Sequence, residues 1–192
     1  MSERYQNKYR IPSARLQRWD YSSAAAYFIT ICTIHKEPFF GEIVNGIMHL
    51  SRVGVIANVL WYEIKNHAEN VELGPFVVTP NHVHGILILN ENDYNADVET
   101  RHALSLPADP DNKTPKLTGS NRFQNQGKNT VSSIVGSYKS AVTKHARRLG
   151  YDFGWQSRFH DHIIRDEQSL KNIQEYIINN PLKWTEDKFF TT

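Results

Sequence analysis

The sequence predicts an α+β fold in which helices pack on a ferredoxin-like antiparallel sheet, with a C-terminal helix carrying the reactive group. Three observations lead there. An aromatic and β-branched run, AYFITICTI, occupies 26–34; two apolar runs flank Pro80 and Asn81; and apolar stripes at helical spacing follow each group of strands.

Residues 1–20 carry Arg4, Lys8, Arg10, Arg15 and Arg18 with little periodicity, which reads as a basic arm. The first strand is expected at 26–34, and Pro38 and Gly41 mark a turn before a short second strand at 46–50. A helix is expected over 51–66, where Val53, Ile56, Leu60 and Ile64 share a face and Ser51 can cap the start. Gly74 and Pro75 should interrupt the chain. PFVVT and HVHGILIL then read as strands on either side of the Pro80–Asn81 turn.

Residues 91–129 are rich in Asn, Asp, Pro, Gly and Ser and too long for an ordinary connection, so they read as a mobile insertion in a single domain spanning 1–192. Thr130 can then cap a helix whose stripe is Val131, Ile134, Val135, Tyr138, Ala141 and Val142, ending near Gly150. A last helix should occupy 167–180, stopped by Pro181.

Composition narrows the function classes. No apolar run approaches the roughly 20 residues of a membrane helix, and the start MSERYQNKYR lacks a secretory apolar stretch, so a cytoplasmic, nucleoid-associated protein is expected. The lone Cys32 cannot form an internal disulfide and should be a buried thiol. Residues 91–112 hold six acids against one base, a net of −5, which leaves +7 for the rest of a chain of net charge +2. A basic folded part favours polyanions.

Two sets of residues carry chemistry. His82 and His84 lie two apart on a strand, so both imidazoles project from one face and can reach one ion. Imidazole pairs suit Mn²⁺ or Zn²⁺ and take Mg²⁺ less readily, and a His-x-His pair also occurs with no ion at all. A zinc-hydrolase pattern is absent, because Ile86 and Leu87 stand where an acid and a third imidazole would be needed. On the last helix, Leu170, Ile173 and Ile177 form the buried stripe, and Asn172, Tyr176 and Asn180 fall four apart along a neighbouring edge. A tyrosine can act as a covalent nucleophile, but with a pKa near 10 it needs a cation to favour phenolate. Asn180 can offer an oxygen ligand one turn away. A phenol at the core margin with its hydroxyl in water is the structural alternative.

The segments YFITICTIHKEPFFGEI, TPNHVHGILIL and WQSRFHDHIIRDEQSLKNIQEYIINNPLKW together resemble the REP-associated tyrosine transposases, in the single-tyrosine branch of the HUH nuclease superfamily. The resemblance covers about 10–90 and 130–184, with three separated motifs in the family's order. It implies a ferredoxin-like fold, a divalent ion (Mg²⁺ or Mn²⁺) on His82 and His84 with Asn180 as third ligand, and Tyr176 as the residue that joins DNA covalently. It further implies metal-dependent cleavage of single-stranded, hairpin-forming repeat DNA through a 5′-phosphotyrosine, followed by strand transfer without a nucleotide cofactor. Compact members have a shorter segment at 91–129, and related enzymes occur as monomers or as homodimers.

DNA-binding candidates are Lys139, Lys144, Arg147 and Arg148 on the polar face of the helix after Thr130. Arg158, His162 and Arg165 lead into the last helix, and Arg10, Arg15 and Arg18 in the arm can clasp a hairpin foot. Two other functions fit the same residues: a domesticated, non-catalytic protein that binds DNA or RNA hairpins, and a metal-dependent hydrolase that uses water in place of Tyr176.

Overall fold

The structure is a computed structural model and describes residues 21–90 and 130–190. The arm with Arg10, Arg15 and Arg18 and the expected insertion at 91–129 lie outside the described residues. Among the described residues, six strands and four α-helices follow in chain order: β1 (Ala25–Cys32), β2 (Gly41–Val44), β3 (Ile47–Leu50), α1 (Arg52–Tyr62), α2 (Ile64–His67), β4 (Val71–Val78), β5 (His82–Leu89), α3 (Val131–Arg148), β6 (His160–Ile164) and α4 (Glu167–Asn179). Single 3-10 turns occupy Ile34–Lys36 and Trp184–Glu186.

The main sheet has the order β4-β5-β1-β6, and every neighbouring pair is antiparallel. The two crossovers interleave. β1 passes through α1 to β4 with β5 lying between, and β5 passes through α3 to β6 with β1 lying between. This is the split β-α-β arrangement of a ferredoxin-like sheet.

Alternation along β1 and β5 decides which residues face which layer. Tyr27, Ile29 and Ile31 of β1 and Val83 and Leu87 of β5 pack with α1 and α3 in the larger core, which also holds Val53, Ala57, Trp61, Val135, Tyr138 and Val142. Phe28 of β1 and Ile86 and Ile88 of β5 face the opposite layer, where Ile177, Leu170 and Ile173 of α4 cover them. Because both faces of β5 are covered, its sequence reads as a nearly continuous apolar run.

Several expectations are corrected. The first strand ends at Cys32, because the chain turns at 34–36. The second strand is half of a hairpin: Asn45 and Gly46 both adopt positive φ (52° and 76°), the geometry of a two-residue turn, and join β2 to β3. The helix expected at 51–66 divides at Glu63, and its buried positions are Val53, Ala57, Trp61 and Ile64, with Ile56 and Leu60 only partly covered. Gly74 and Pro75 do not break β4. The register shifts between Leu73 and Phe76, a bulge on an edge strand, where a residue without an N–H is tolerated. β6 was not expected as a strand at all.

The caps form as expected. Ser51 accepts from the Gly54 N–H at 3.1 Å, and Thr130 accepts from the Ser133 N–H at 3.2 Å. Asp166 caps α4 in the same way, accepting from Ser169 at 2.7 Å. Cys32 is a buried free thiol, and burial pushes its pKa up to about 11, so it is protonated and unreactive.

Candidate active site

The site is built from the turn and start of β5, the middle of β1, the face of α4 and the segment after it. His82 and His84 project to the α4 side and are both fully buried. Their ring centroids are 4.2 Å apart. Tyr176, on the exposed edge of α4 one residue before the buried Ile177, brings its hydroxyl to 3.1 Å from His84 Nε2. The residue at the margin of the helix stripe is thus the one that reaches His84.

The second nitrogen of each imidazole is held by a neighbour. Asn81, in the turn before β5, uses its amide N–H to bind the Phe189 carbonyl at 2.8 Å, which directs its Oδ1 at His82 Nδ1, 2.8 Å away. That oxygen only accepts, so Nδ1 carries the proton and His82 Nε2 keeps a lone pair. His82 Nε2 is buried and has no hydrogen-bond partner. Thr30, paired with His84 in the β1–β5 register, places its hydroxyl 2.9 Å from His84 Nδ1. Such hydrogen bonds are what orient metal-binding imidazoles.

The chain beyond α4 closes the site. Phe189 packs 4.6 Å from the His82 ring and 5.7 Å from the His84 ring, and Trp184 lies 5.8 Å from His82. Asp187 stands beside them: Tyr176 donates to its Oδ2 at 2.6 Å, Asn180 Nδ2 donates to the same oxygen at 2.6 Å, and the Phe189 N–H donates to Oδ1 at 2.7 Å. The ligand atoms of His82, His84 and Asp187 all lie within 4.8 Å of one another.

Electrostatics match this geometry. Burial, reinforced by neighbouring His84, holds His82 well below the ordinary imidazole value; burial, partly opposed by Asp187, holds His84 down at about 3. Both rings are therefore neutral near pH 7, the form that binds a cation. Burial and the hydrogen bond to Asp187 push the Tyr176 phenol above its usual value, so it is protonated as found. A cation at the histidines would act in the opposite sense. The donor set thus fits a divalent ion: two neutral imidazoles, one with an unpartnered buried nitrogen, and a carboxylate within reach.

The other expected residues spread around this centre. Asn180 is buried and touches Asp187 through its amide nitrogen. Asn172 binds Gln168 on the outer edge of α4 and lines a cleft of about 420 Å³ that also exposes Tyr176 and Lys183. His162 lies on β6 opposite Phe28, so it shares the face of the imidazole pair and lines a cavity of about 410 Å³ with Phe28, His160, Lys188 and Phe189. Arg158 and Arg165 are exposed at the two ends of β6. Lys144, Arg147 and Arg148 are exposed on α3, in the layer across the sheet from α4. Lys139 is drawn inward instead, donating to the Gln156 carbonyl at 2.6 Å.

Sequence reasoning missed Thr30, Asn81, Asp187 and His160. An asparagine next to the first histidine and a hydroxyl in the neighbouring strand were visible signals; Asp187 was not, because nothing local ties 182–190 back to β5.

No protein-family model matches the chain. A Haemophilus influenzae protein described as uncharacterized is 36% identical over 179 residues, covering 93% of this chain and 92% of its own length. The structure of a REP-associated tyrosine transposase bound to a REP hairpin superposes with a TM-score of 0.56 at 18% identity, over 92% of this chain and 77% of that one. The chain therefore belongs to one family with the Haemophilus influenzae protein, and its fold is that of the REP-associated tyrosine transposase.

Proposed function

We propose that this protein is a metal-dependent single-strand DNA nickase and strand transferase in which Tyr176 is the nucleophile. The observation that carries the reading is the 3.1 Å approach of the Tyr176 hydroxyl to His84 Nε2, beside the unpartnered Nε2 of His82. A phenol next to two neutral imidazoles has the parts required for attack on a phosphodiester held on an ion.

His82 and His84 hold a divalent ion, Mg²⁺ or Mn²⁺. When bound, that ion supplies positive charge that favours phenolate and withdraws electrons from the scissile phosphate. Tyr176 gives up its phenol proton and attacks phosphorus, the P–O3′ bond breaks, and the leaving 3′-oxygen takes up a proton, giving a 5′-phosphotyrosine and a free 3′-hydroxyl. A second 3′-hydroxyl reverses the bond exchange and rejoins strands, so no nucleotide cofactor is consumed. The cleft at Asn172 and Lys183 and the cavity at Phe28 and His162 flank Tyr176 and offer room for nucleotides on either side.

The fold likeness to a transposase solved with a REP hairpin supports a folded DNA repeat as substrate. Arg158, His162 and Arg165 around β6 are proposed to contact the DNA backbone, together with Arg10, Arg15 and Arg18 of the N-terminal arm.

The test is a denaturing gel with end-labelled hairpin oligonucleotides and Mn²⁺. A labelled protein adduct is expected with the wild type and none with Tyr176→Phe, which loses one oxygen. Cleavage without an adduct would support water as nucleophile, and binding indifferent to both Tyr176→Phe and chelator would support a non-catalytic hairpin-binding protein.

A further inference from the structure

We infer that Asp187, carried by the segment after α4, is the anionic third ligand of the proposed cation, and that Asn180 serves to hold Asp187 and is not itself a ligand. The inference rests on the two-imidazole site proposed above and departs from the ligand set that the sequence resemblance implies.

Three observations support it. Asp187 is the only carboxylate among the described residues grouped with His82 and His84, all three offering ligand atoms within 4.8 Å of one another. His82 Nε2 is buried with no hydrogen-bond partner, a group that costs free energy unless something binds it. Asn180 presents its amide nitrogen to Asp187 Oδ2 at 2.6 Å. A carboxylate only accepts, so the Asn180 nitrogen must face it and the amide oxygen faces away. Asn180 Oδ1 is buried without a hydrogen-bond partner, as His82 Nε2 is, so the Asn180→Ala arm of the titration below is the one that tests this half of the assignment.

Asp187 is also held on its other oxygen by the Phe189 N–H at 2.7 Å, and the Phe189 ring packs at a tilt against both imidazoles. The carboxylate is thus fixed by two donors, one from the last residue of the α4 edge and one from its own segment. Charge favours the same assignment. Two neutral imidazoles leave the double charge of an ion uncompensated in a buried site, whereas one carboxylate halves it, and Mg²⁺ and Mn²⁺ prefer oxygen donors. Tyr176 donates to the same Asp187 Oδ2, so an ion taken up by that oxygen would compete with the phenol proton for it.

The test is calorimetric titration of Mn²⁺ into the full chain, comparing wild type with Asp187→Asn, Asn180→Ala and His84→Ala. Asp187→Asn keeps the shape and the acceptor for the Phe189 N–H; it is expected to weaken Mn²⁺ binding at least about tenfold, with Asn180→Ala losing less. As a direct readout that needs no variant, electron–nuclear double resonance of Mn²⁺ bound to wild-type protein labelled with ¹³C at aspartate carboxylates should show a carbon coupling. Wild-type affinity in Asp187→Asn, a larger loss in Asn180→Ala, or no ¹³C coupling overturns the assignment and leaves the imidazole pair standing if His84→Ala still abolishes binding. Absence of Mn²⁺ binding by the wild type sinks both.

Discussion

Thr30 and His84 face each other across the β1–β5 ladder, and the threonine hydroxyl lies 2.9 Å from His84 Nδ1. As found, the single Tyr176 proton goes to Asp187, so His84 Nε2 carries the hydrogen toward the phenol oxygen and Thr30 donates to Nδ1. A hydroxyl can also accept. Reversing its role moves the imidazole proton to Nδ1 and bares Nε2 for a cation without moving the ring. Thr30→Val, nearly the same size, removes this reversible partner. Mn²⁺ affinity is expected to fall about 10–100-fold with the fold intact, measured by calorimetric titration beside circular dichroism. Unchanged affinity would show that Thr30 has no part in orienting His84.

Stability should depend on pH through the buried imidazoles. His84 titrates at about 3 in the folded chain against an ordinary value of 6.5, and His82 is lowered as well. The unfolded chain takes up protons below about pH 6.5 that the folded chain refuses, so their stabilisation is complete above that value and is lost as pH falls toward 3. The slope is at most about 1.4 kcal/mol per pH unit for each imidazole. Thermal melts from pH 7 to pH 4 without metal should show Tm falling, with a shallower fall in His84→Gln. Parallel curves for the two proteins would refute the burial argument.

Gly85 faces the larger core between the two histidine positions and Leu87, and a Cβ there would overlap the ring of Trp61. Trp61 itself is fully buried and stacks on Phe76 at 5.5 Å. Gly85→Ala must therefore push a core indole, at an expected cost of about 1–3 kcal/mol. Urea unfolding measures it, and a midpoint equal to wild type would mean the indole moves freely.

Tyr138 stitches the two helices of the larger layer together, donating from α3 to the Ala57 carbonyl of α1 at 2.9 Å. The hydroxyl is buried, and burial raises its pKa, so it stays a donor at any physiological pH. Tyr138→Phe leaves the carbonyl without that donor and should cost about 1–3 kcal/mol. Chemical denaturation reads the loss, while DNA adduct formation should persist at temperatures well below Tm.

What could be read in the sequence was local. Period-two alternation puts His82 and His84 on one side of a strand wherever that strand goes, and the stripe of Leu170, Ile173 and Ile177 leaves Tyr176 at the margin of its helix. Ser51 and Thr130 announce their helices because a cap needs only the next three residues. β6 escaped because its sheet face, His160 and His162, is polar and borders the site, so apolar alternation is missing there.

Tertiary structure alone decided that α4 covers the sheet face bearing the imidazoles and not the face bearing α1 and α3, which is what brings Tyr176 to a histidine 92 positions earlier. It also decided that Asp187 returns to β5 through Phe189 and Asn81. The reason is physical: strand and helix periods are properties of one segment, whereas the meeting of distant segments depends on which apolar faces are left for one another once the sheet has formed.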